Sequence, residues 1–306
     1  MSILEKLNDR QRKAAEKIEG ALLILAGAGS GKTRTITYRI AHMIQELGIS
    51  PYKILAVTFT NKAAKEMKER VEDLIGEDGK RTMVSTFHSF GVRLLRTYGD
   101  RLGYGANFTI YDADDQKRVV KGIMKELTVK DKNLTEGMVV SLISKLKEEE
   151  VSADDYEKSE NKYNMNAVVV AEIYRRYNLT LKKNNGMDFS DILINTAKLL
   201  EIPDILNKVQ DKFRYIMVDE YQDTNNIQYK IINKIAGKYG NLCVVGDENQ
   251  SIYGFRGANI QNILDFEKDY PNAEVVKLEE NYRSTSVILD AATVSYTHLT
   301  LPTTSR

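Results

Sequence analysis

Cysteine is almost missing from this chain, proline is scarce, and nowhere does an apolar run approach the length of a bilayer crossing. The lone thiol, Cys243, excludes an internal disulfide framework. It stands in the apolar run "NLCVVGD", where a buried core residue is expected in place of a nucleophile or ligand. Four prolines and 19 glycines among 306 residues rule out collagen-like and Pro/Gly-rich disordered classes. No stretch comes near the roughly 20 apolar residues that cross a membrane, and the opening "MSILEKLNDRQRKAAEK" lacks the basic-then-apolar layout of a secretory leader. The expectation is a cytoplasmic protein without membrane attachment. Charge of one sign is also lacking. A net charge of +1 gives no global attraction to nucleic acid, so any such attraction must come from local imbalance. Residues 80–101 hold five Lys/Arg against one Asp, and residues 145–160 hold three Lys against seven acids. The acidic run reads as a solvated face.

What is present is an ordinary globular composition, 42% hydrophobic and 28% charged, with length for about two compact units. Six short apolar runs stand out, at 21–25, 53–60, 82–87, 215–220, 242–247 and 273–279. Most are continuous in apolar character, as strands covered on both faces should be. Helical patterns at 32–47, 61–76, 86–98, 224–238 and 259–268 alternate with them, which predicts an α/β fold with a parallel sheet. Residues 112–186 break the rhythm with helical patterns alone, and "KNNG" at 183–186 is the expected return turn. The simplest organisation is an all-helical insertion into an α/β domain. The tail "TVSYTHLTLPTTSR" carries no clean periodicity and is expected to be frayed, after a helix for which Ser284 is the expected N-cap.

The run at 21–25 leads into "AGAGSGKT", residues Ala26, Gly27, Ala28, Gly29, Ser30, Gly31, Lys32 and Thr33. A strand, a glycine-rich turn and then Lys-Thr opening a helix is the arrangement of a phosphate-binding loop. Backbone N–H groups turn inward, the Lys reaches the terminal phosphates of ATP, and the Thr hydroxyl ligates Mg2+. Ala26 departs from the strict pattern by standing where its first Gly would be. A second strand end, "YIMVDEYQDTN", offers Asp219 to hold the metal and Glu220 to orient the attacking water, while Asp223 is read as part of an acidic turn in which it or Thr224 caps the next helix. A third, "VVGDENQSIYGFRGA", offers Gln250 as a sensor of the γ-phosphate or of the attacking water. Tyr253, Phe255 and Arg256 interleave two aromatics with a cation, a pattern suited to stacking on bases.

These residues, with "LNDRQRKAA" (7–15), "VTFTNKAAKEMKERV" (57–71), "STFHSF" (85–90), "DFSDIL" (188–193) and "LEENYRS" (278–284), resemble in order and spacing the motifs of UvrD/Rep-type superfamily 1 DNA helicases. The resemblance implies a RecA-like P-loop NTPase domain built from 1–111 and 187–292, with an inserted helical subdomain at 112–186. It implies that Gln11 reads the adenine edge, that Arg34 and Tyr282 flank the base, and that Arg283 contacts the γ-phosphate. Phe59, Asn61, Thr86, His88 and Phe189 would line a single-stranded DNA track with Tyr253, Phe255 and Arg256. His88 alone would be read as structural, and only its motif gives it a DNA role.

Asn249 and Gly254 depart from the Asp and Arg common among such proteins, and the resemblance stops within "ILDAA", leaving 293–306 outside it. The resulting expectation is an ATP- and Mg2+-dependent 3′ to 5′ DNA helicase acting on single-stranded and 3′-tailed duplex DNA. This chain would be an N-terminal part, weak or inactive as a motor by itself. The competing readings are a nucleotide-dependent DNA-binding module without motor activity and the helicase part of a nuclease-coupled machine.

Overall fold

The computed structural model describes residues 2–131, 133–159, 165–247 and 266–282. Six strands form one parallel sheet: β1 (Leu22–Ala26), β2 (Ile54–Thr58), β3 (Met83–Thr86), β6 (Tyr215–Val218), β7 (Leu242–Gly246) and β8 (Glu274–Leu278). The spatial order is β3-β2-β6-β7-β1-β8. Each strand falls within a predicted apolar run or extends one residue past it, since these runs are apolar on both faces. Alternation within β1 shows why: Leu23 faces one hydrophobic cluster, while Leu22, Ile24 and Ala26 face the other. β7 divides likewise, with Leu242 and Val244 on the first side and Cys243 and Val245 on the second. Cys243 is buried, and burial pushes its thiol up, away from the reactive thiolate.

Helices α1 (Asp9–Glu16), α2 (Lys32–Gln45) and α3 (Asn61–Ile75), followed by the short α4 (Glu77–Arg81), lie along the chain before β3. The apolar sides of α1, α2 and α3 join one cluster through Ala14, Ile36, Ile40, Met67 and Val71. The opposite face is covered by α5 (Phe87–Tyr98), α10 (Phe189–Leu199), α11 (Pro203–Lys212) and α12 (Asn226–Ala236), through Phe90, Leu95, Ile192, Ile205 and Ile231. Helices on both faces bury a parallel sheet, which has no face to offer water.

Between β3 and β6 the chain leaves this layer through β4 (Thr109–Ile110) and returns through β5 (Gly186–Met187), two short parallel strands side by side. The Tyr111 N–H donates to the Met187 carbonyl at 2.9 Å, and a Cβ on Gly186 would run into the Tyr111 ring. Asn185, in the predicted return turn, takes a left-handed φ of 48°, which Asn tolerates. The excursion carries α6 (Ala113–Glu126), α7 (Glu136–Glu148), α8 (Ala153–Ser159) and α9 (Met165–Lys183). These helices share their own cluster around Val120, Val139, Ile143, Ile173 and Tyr177. No helix among the described residues is long and apolar enough to cross a membrane. Of the helix expected at 259–268, only the turn Phe266–Asp269 is described, while Ser284 and the tail 293–306 lie outside the described residues.

Two expectations are corrected. Asn225, not Asp223 or Thr224, caps α12: its side chain accepts from the Gln228 N–H at 2.9 Å, and Asp223 stays exposed in the preceding turn. The acidic run is not wholly solvated either, because Lys147 is buried against carboxylates that lie 41 and 44 residues further on.

Candidate nucleotide site and nucleic-acid interface

The loop from Gly27 to Gly31 leaves the carboxyl end of β1. Ala26 is the last residue of that strand, 3% exposed and paired with Leu278 of β8. Extended backbone takes any residue, which explains why a Cβ is accepted there. Further on, Gly29 and Gly31 have φ of 79° and 85°, where a Cβ is strained. At Gly31 a Cβ would also sit 2.6 Å from Nε2 of Gln11. Gly31 caps α2 without any side-chain hydrogen bond, so the first N–H groups of that 14-residue helix face the loop.

Opposite the loop stands the end of β6. The Lys32 ammonium, its side chain 11% exposed, lies 2.9 Å from Oε2 of Glu220. Glu220 holds a left-handed φ of 50°, a backbone conformation that turns the chain sharply at the strand end. Asp219 is buried beside it. Burial, with the neighbouring Glu220 charge, pushes the Asp219 carboxyl up to about 6, against the pull of Lys32 and of the Glu220 N–H that Asp219 accepts at 3.0 Å. Thr33 follows Lys32 in the first turn of α2, half-buried.

Gln222 is a participant that motif reading overlooked. Its Nε2 donates to Glu220 at 2.8 Å, while its Oε1 accepts from the Asp247 N–H at the end of β7, at 3.1 Å. An amide two residues beyond the acid pair, able to donate and accept at once, was the available signal.

On the other side of the loop, Gln11 is 2% exposed and donates to the Ser30 carbonyl at 3.0 Å. It also forms a reciprocal cap with Asn8. Arg34 donates to the Lys6 carbonyl at 2.7 Å and lies 5.3 Å from the centre of the Tyr38 ring. The chain after β8 crosses the loop: the Tyr282 N–H donates to the Gly29 carbonyl at 2.9 Å, and Asn281 donates to the Ala28 carbonyl at 2.7 Å. Tyr282 is 60% exposed and its hydroxyl accepts from Asn8, so Arg34 and Tyr282 are both tied to the segment preceding α1. Asn8 and Asn281 were not singled out from sequence.

The ends of β2 and β3, at the other half of the same sheet edge, open into a cleft of about 530 Å³. Phe59, Asn61, Thr86, His88 and Phe189 all line it. Phe59 meets Phe87 edge-on at 5.7 Å between centroids, and His88 meets Phe189 edge-on at 5.6 Å. Thr86 caps α5, accepting from the Ser89 N–H at 3.1 Å. Gln250, Tyr253, Phe255, Arg256 and Arg283, with Asn249 and Gly254, lie outside the described residues.

The family model described as the UvrD/REP helicase N-terminal domain matches residues 7–271. The chain belongs to that family. It is 50% identical over 292 residues to the ATP-dependent DNA helicase PcrA of Staphylococcus epidermidis, covering 95% of this chain and 40% of that relative. The ATP-dependent DNA helicase PcrA of Staphylococcus aureus matches to the same extent. The chain thus spans about 40% of the length of these curated relatives.

Proposed function

We propose that this chain is the ATP-binding part of a DNA helicase of the repair or replication type, one that moves 3′ to 5′ along single-stranded DNA and acts on 3′-tailed duplexes. The carrying observation is the 2.9 Å meeting of Lys32 and Glu220 across strand ends that also open, along the same edge, into the aromatic cleft. The residues present fit Mg2+-ATP. Left-handed glycines, an uncapped helix start and a Lys held by one exchangeable carboxylate suit phosphate, while Thr33 and Asp219 offer the hard oxygens that Mg2+ takes. Bound Mg2+-ATP would supply the transferable phosphoryl group and the charge that neutralises it.

Lys32 then exchanges Glu220 for phosphate oxygen, and the released Glu220 orients and deprotonates the attacking water, steadied by Gln222. In this scheme Gln11, Arg34 and Tyr282 hold the base, and Gln250 and Arg283 face the terminal phosphate. The cleft residues grip the strand with Tyr253, Phe255 and Arg256. The proposed partition makes 1–111 and 187–292 one ATP-binding domain of a cytoplasmic enzyme, with 112–186 inserted and 293–306 apart. We infer that these 306 residues alone bind nucleotide and strand but turn ATP over slowly.

The test is phosphate release by the 306-residue chain with and without oligo(dT), beside Glu220→Gln. A lost general base lowers turnover by about a hundredfold or more, while ATP affinity is retained. Equal, measurable turnover in both proteins overturns the assignment of Glu220. Strand binding with no turnover in either protein overturns the slow turnover inferred for these 306 residues.

A further inference from the structure

Lys147 lies in the last turn of α7, within the helical excursion, and its side chain is 2% exposed. Its ammonium donates to Oδ2 of Asp188 and to Oδ1 of Asp191, both at 2.7 Å. The Tyr177 hydroxyl, from α9, donates to the same Oδ2 of Asp188 at 2.9 Å, and the Tyr177 ring centre lies 5.0 Å from the ammonium. The two remaining carboxylate oxygens close a reciprocal cap: Oδ1 of Asp188 accepts from the Asp191 N–H at 2.8 Å, and Oδ2 of Asp191 from the Asp188 N–H at 3.2 Å. All four oxygens that start α10 are therefore engaged, and two helices of the excursion hold them.

A buried charge cluster is a poor source of stability, because desolvation offsets its attraction, but it fixes one geometry. The geometry fixed here is that of Phe189, the first residue of α10, 50% exposed, edge-on to His88 and lining the cleft. Lys147 itself does not line the cleft. We propose that Lys147 is a positioning residue: from the helical excursion it locks the first turn of α10 and so sets the Phe189 ring for the nucleic-acid strand. Strand affinity then depends on a side chain that never touches the strand. This inference rests on the reading of the cleft as a strand site.

The test is fluorescence anisotropy of a labelled short oligo(dT) with the full 306-residue chain, at several salt concentrations and at a temperature where each variant is folded by circular dichroism. Phe189→Ala should weaken binding by about tenfold, the loss of one stacking partner. Lys147→Met should weaken it by about fivefold, with the slope of log affinity against log salt unchanged, because no phosphate contact is removed. The double variant should bind no more weakly than Phe189→Ala alone. Should Lys147→Met not fold, Tyr177→Phe carries the test, with a two- to threefold loss expected and the same non-additivity with Phe189→Ala.

If Phe189→Ala weakens binding while Lys147→Met, or Tyr177→Phe in its place, leaves affinity unchanged or adds its loss independently, the positioning role is overturned and the cleft reading survives. A changed salt slope overturns it in favour of direct phosphate contact. If Phe189→Ala itself binds as well as the parent, the cleft reading fails and the inference falls with it.

Discussion

The two halves of one sheet edge are built on opposite principles. Beyond β1 and β6, the nucleotide half holds a left-handed carboxylate residue, two left-handed glycines and a buried acid beside a second acid. Beyond β2 and β3, the cleft half holds a threonine cap and rings that meet edge-on, all favourable without any ligand. The first half keeps a left-handed Glu220 and, beside it, a buried Asp219 carboxyl that cost stability, and the second is complete without a ligand. Substitutions should therefore part the two halves in sign: in the nucleotide half they can raise stability while removing binding, and in the cleft half they should lower both.

The largest effect expected is at Asp219. A carboxyl raised from 3.8 to about 6 binds its proton more tightly in the folded chain, so stability falls as pH rises from about 4 towards 6 and the penalty is complete at pH 7. That shift corresponds to about 3 kcal/mol. Asp219→Asn should therefore melt higher than the parent at pH 7 in nucleotide-free, metal-free buffer, with the gap closing towards pH 4. A lower melting temperature at pH 7 would erase the contrast between the halves. Next comes Lys32→Ala, which removes charge-assisted bonds worth about 1.5–3 kcal/mol. Titration with a fluorescent ATP analogue should show a ten- to hundredfold loss, while oligo(dT) affinity without nucleotide stays the same. Parallel losses would show that the halves are not separable.

The sequence disclosed the contrast unevenly. Strands were legible because each is apolar on both faces and ends where polarity begins, so Asp219 and Glu220 could be placed at a strand end without coordinates. Loop chemistry was legible where residue type is narrow: Gly29 and Gly31 take left-handed φ, and Ala26 is tolerated because it still belongs to β1. Interactions between distant segments were not legible. Lys147 sits among acids in "KLKEEE", so local charge density suggested solvent, yet its partners are in "DFSD" beyond α9. Asp223 had as good a local claim to cap α12 as Asn225, and the extra turn at Tyr221–Asp223 decided between them. Gln222 went unnoticed because its second partner, the Asp247 N–H, belongs to another strand.

In the cleft half the effects are smaller and of the other sign. Phe59 packs edge-on against the buried Phe87 and faces the cleft with its exposed part. Phe59→Ala should lower the melting temperature through lost packing and weaken oligo(dT) binding by about 1–3 kcal/mol. ATP analogue affinity should not move, because among the described residues no hydrogen bond of the nucleotide loop involves Phe59. A stabilised Phe59→Ala chain would contradict the view that this half is complete without ligand.

Thr86 should give the smallest change and the sharpest test of that view. Its hydroxyl oxygen accepts from the Ser89 N–H at 3.1 Å and lies 2.9 Å from the Ser89 hydroxyl, whereas its approach to Asn61 at 3.5 Å is too long for a strong bond. Its contribution is therefore that of an N-cap. Thr86→Ala should cost about 1 kcal/mol in urea unfolding, and Thr86→Ser should recover most of it. If Thr86 grips the strand only by holding α5 in place, Thr86→Ala should weaken oligo(dT) binding about twofold, less than the roughly 1 kcal/mol cap would give if lost in full from binding. A tenfold loss with unchanged stability would mean that the hydroxyl bonds the strand directly, and the cleft half would then share the ligand dependence of its neighbour.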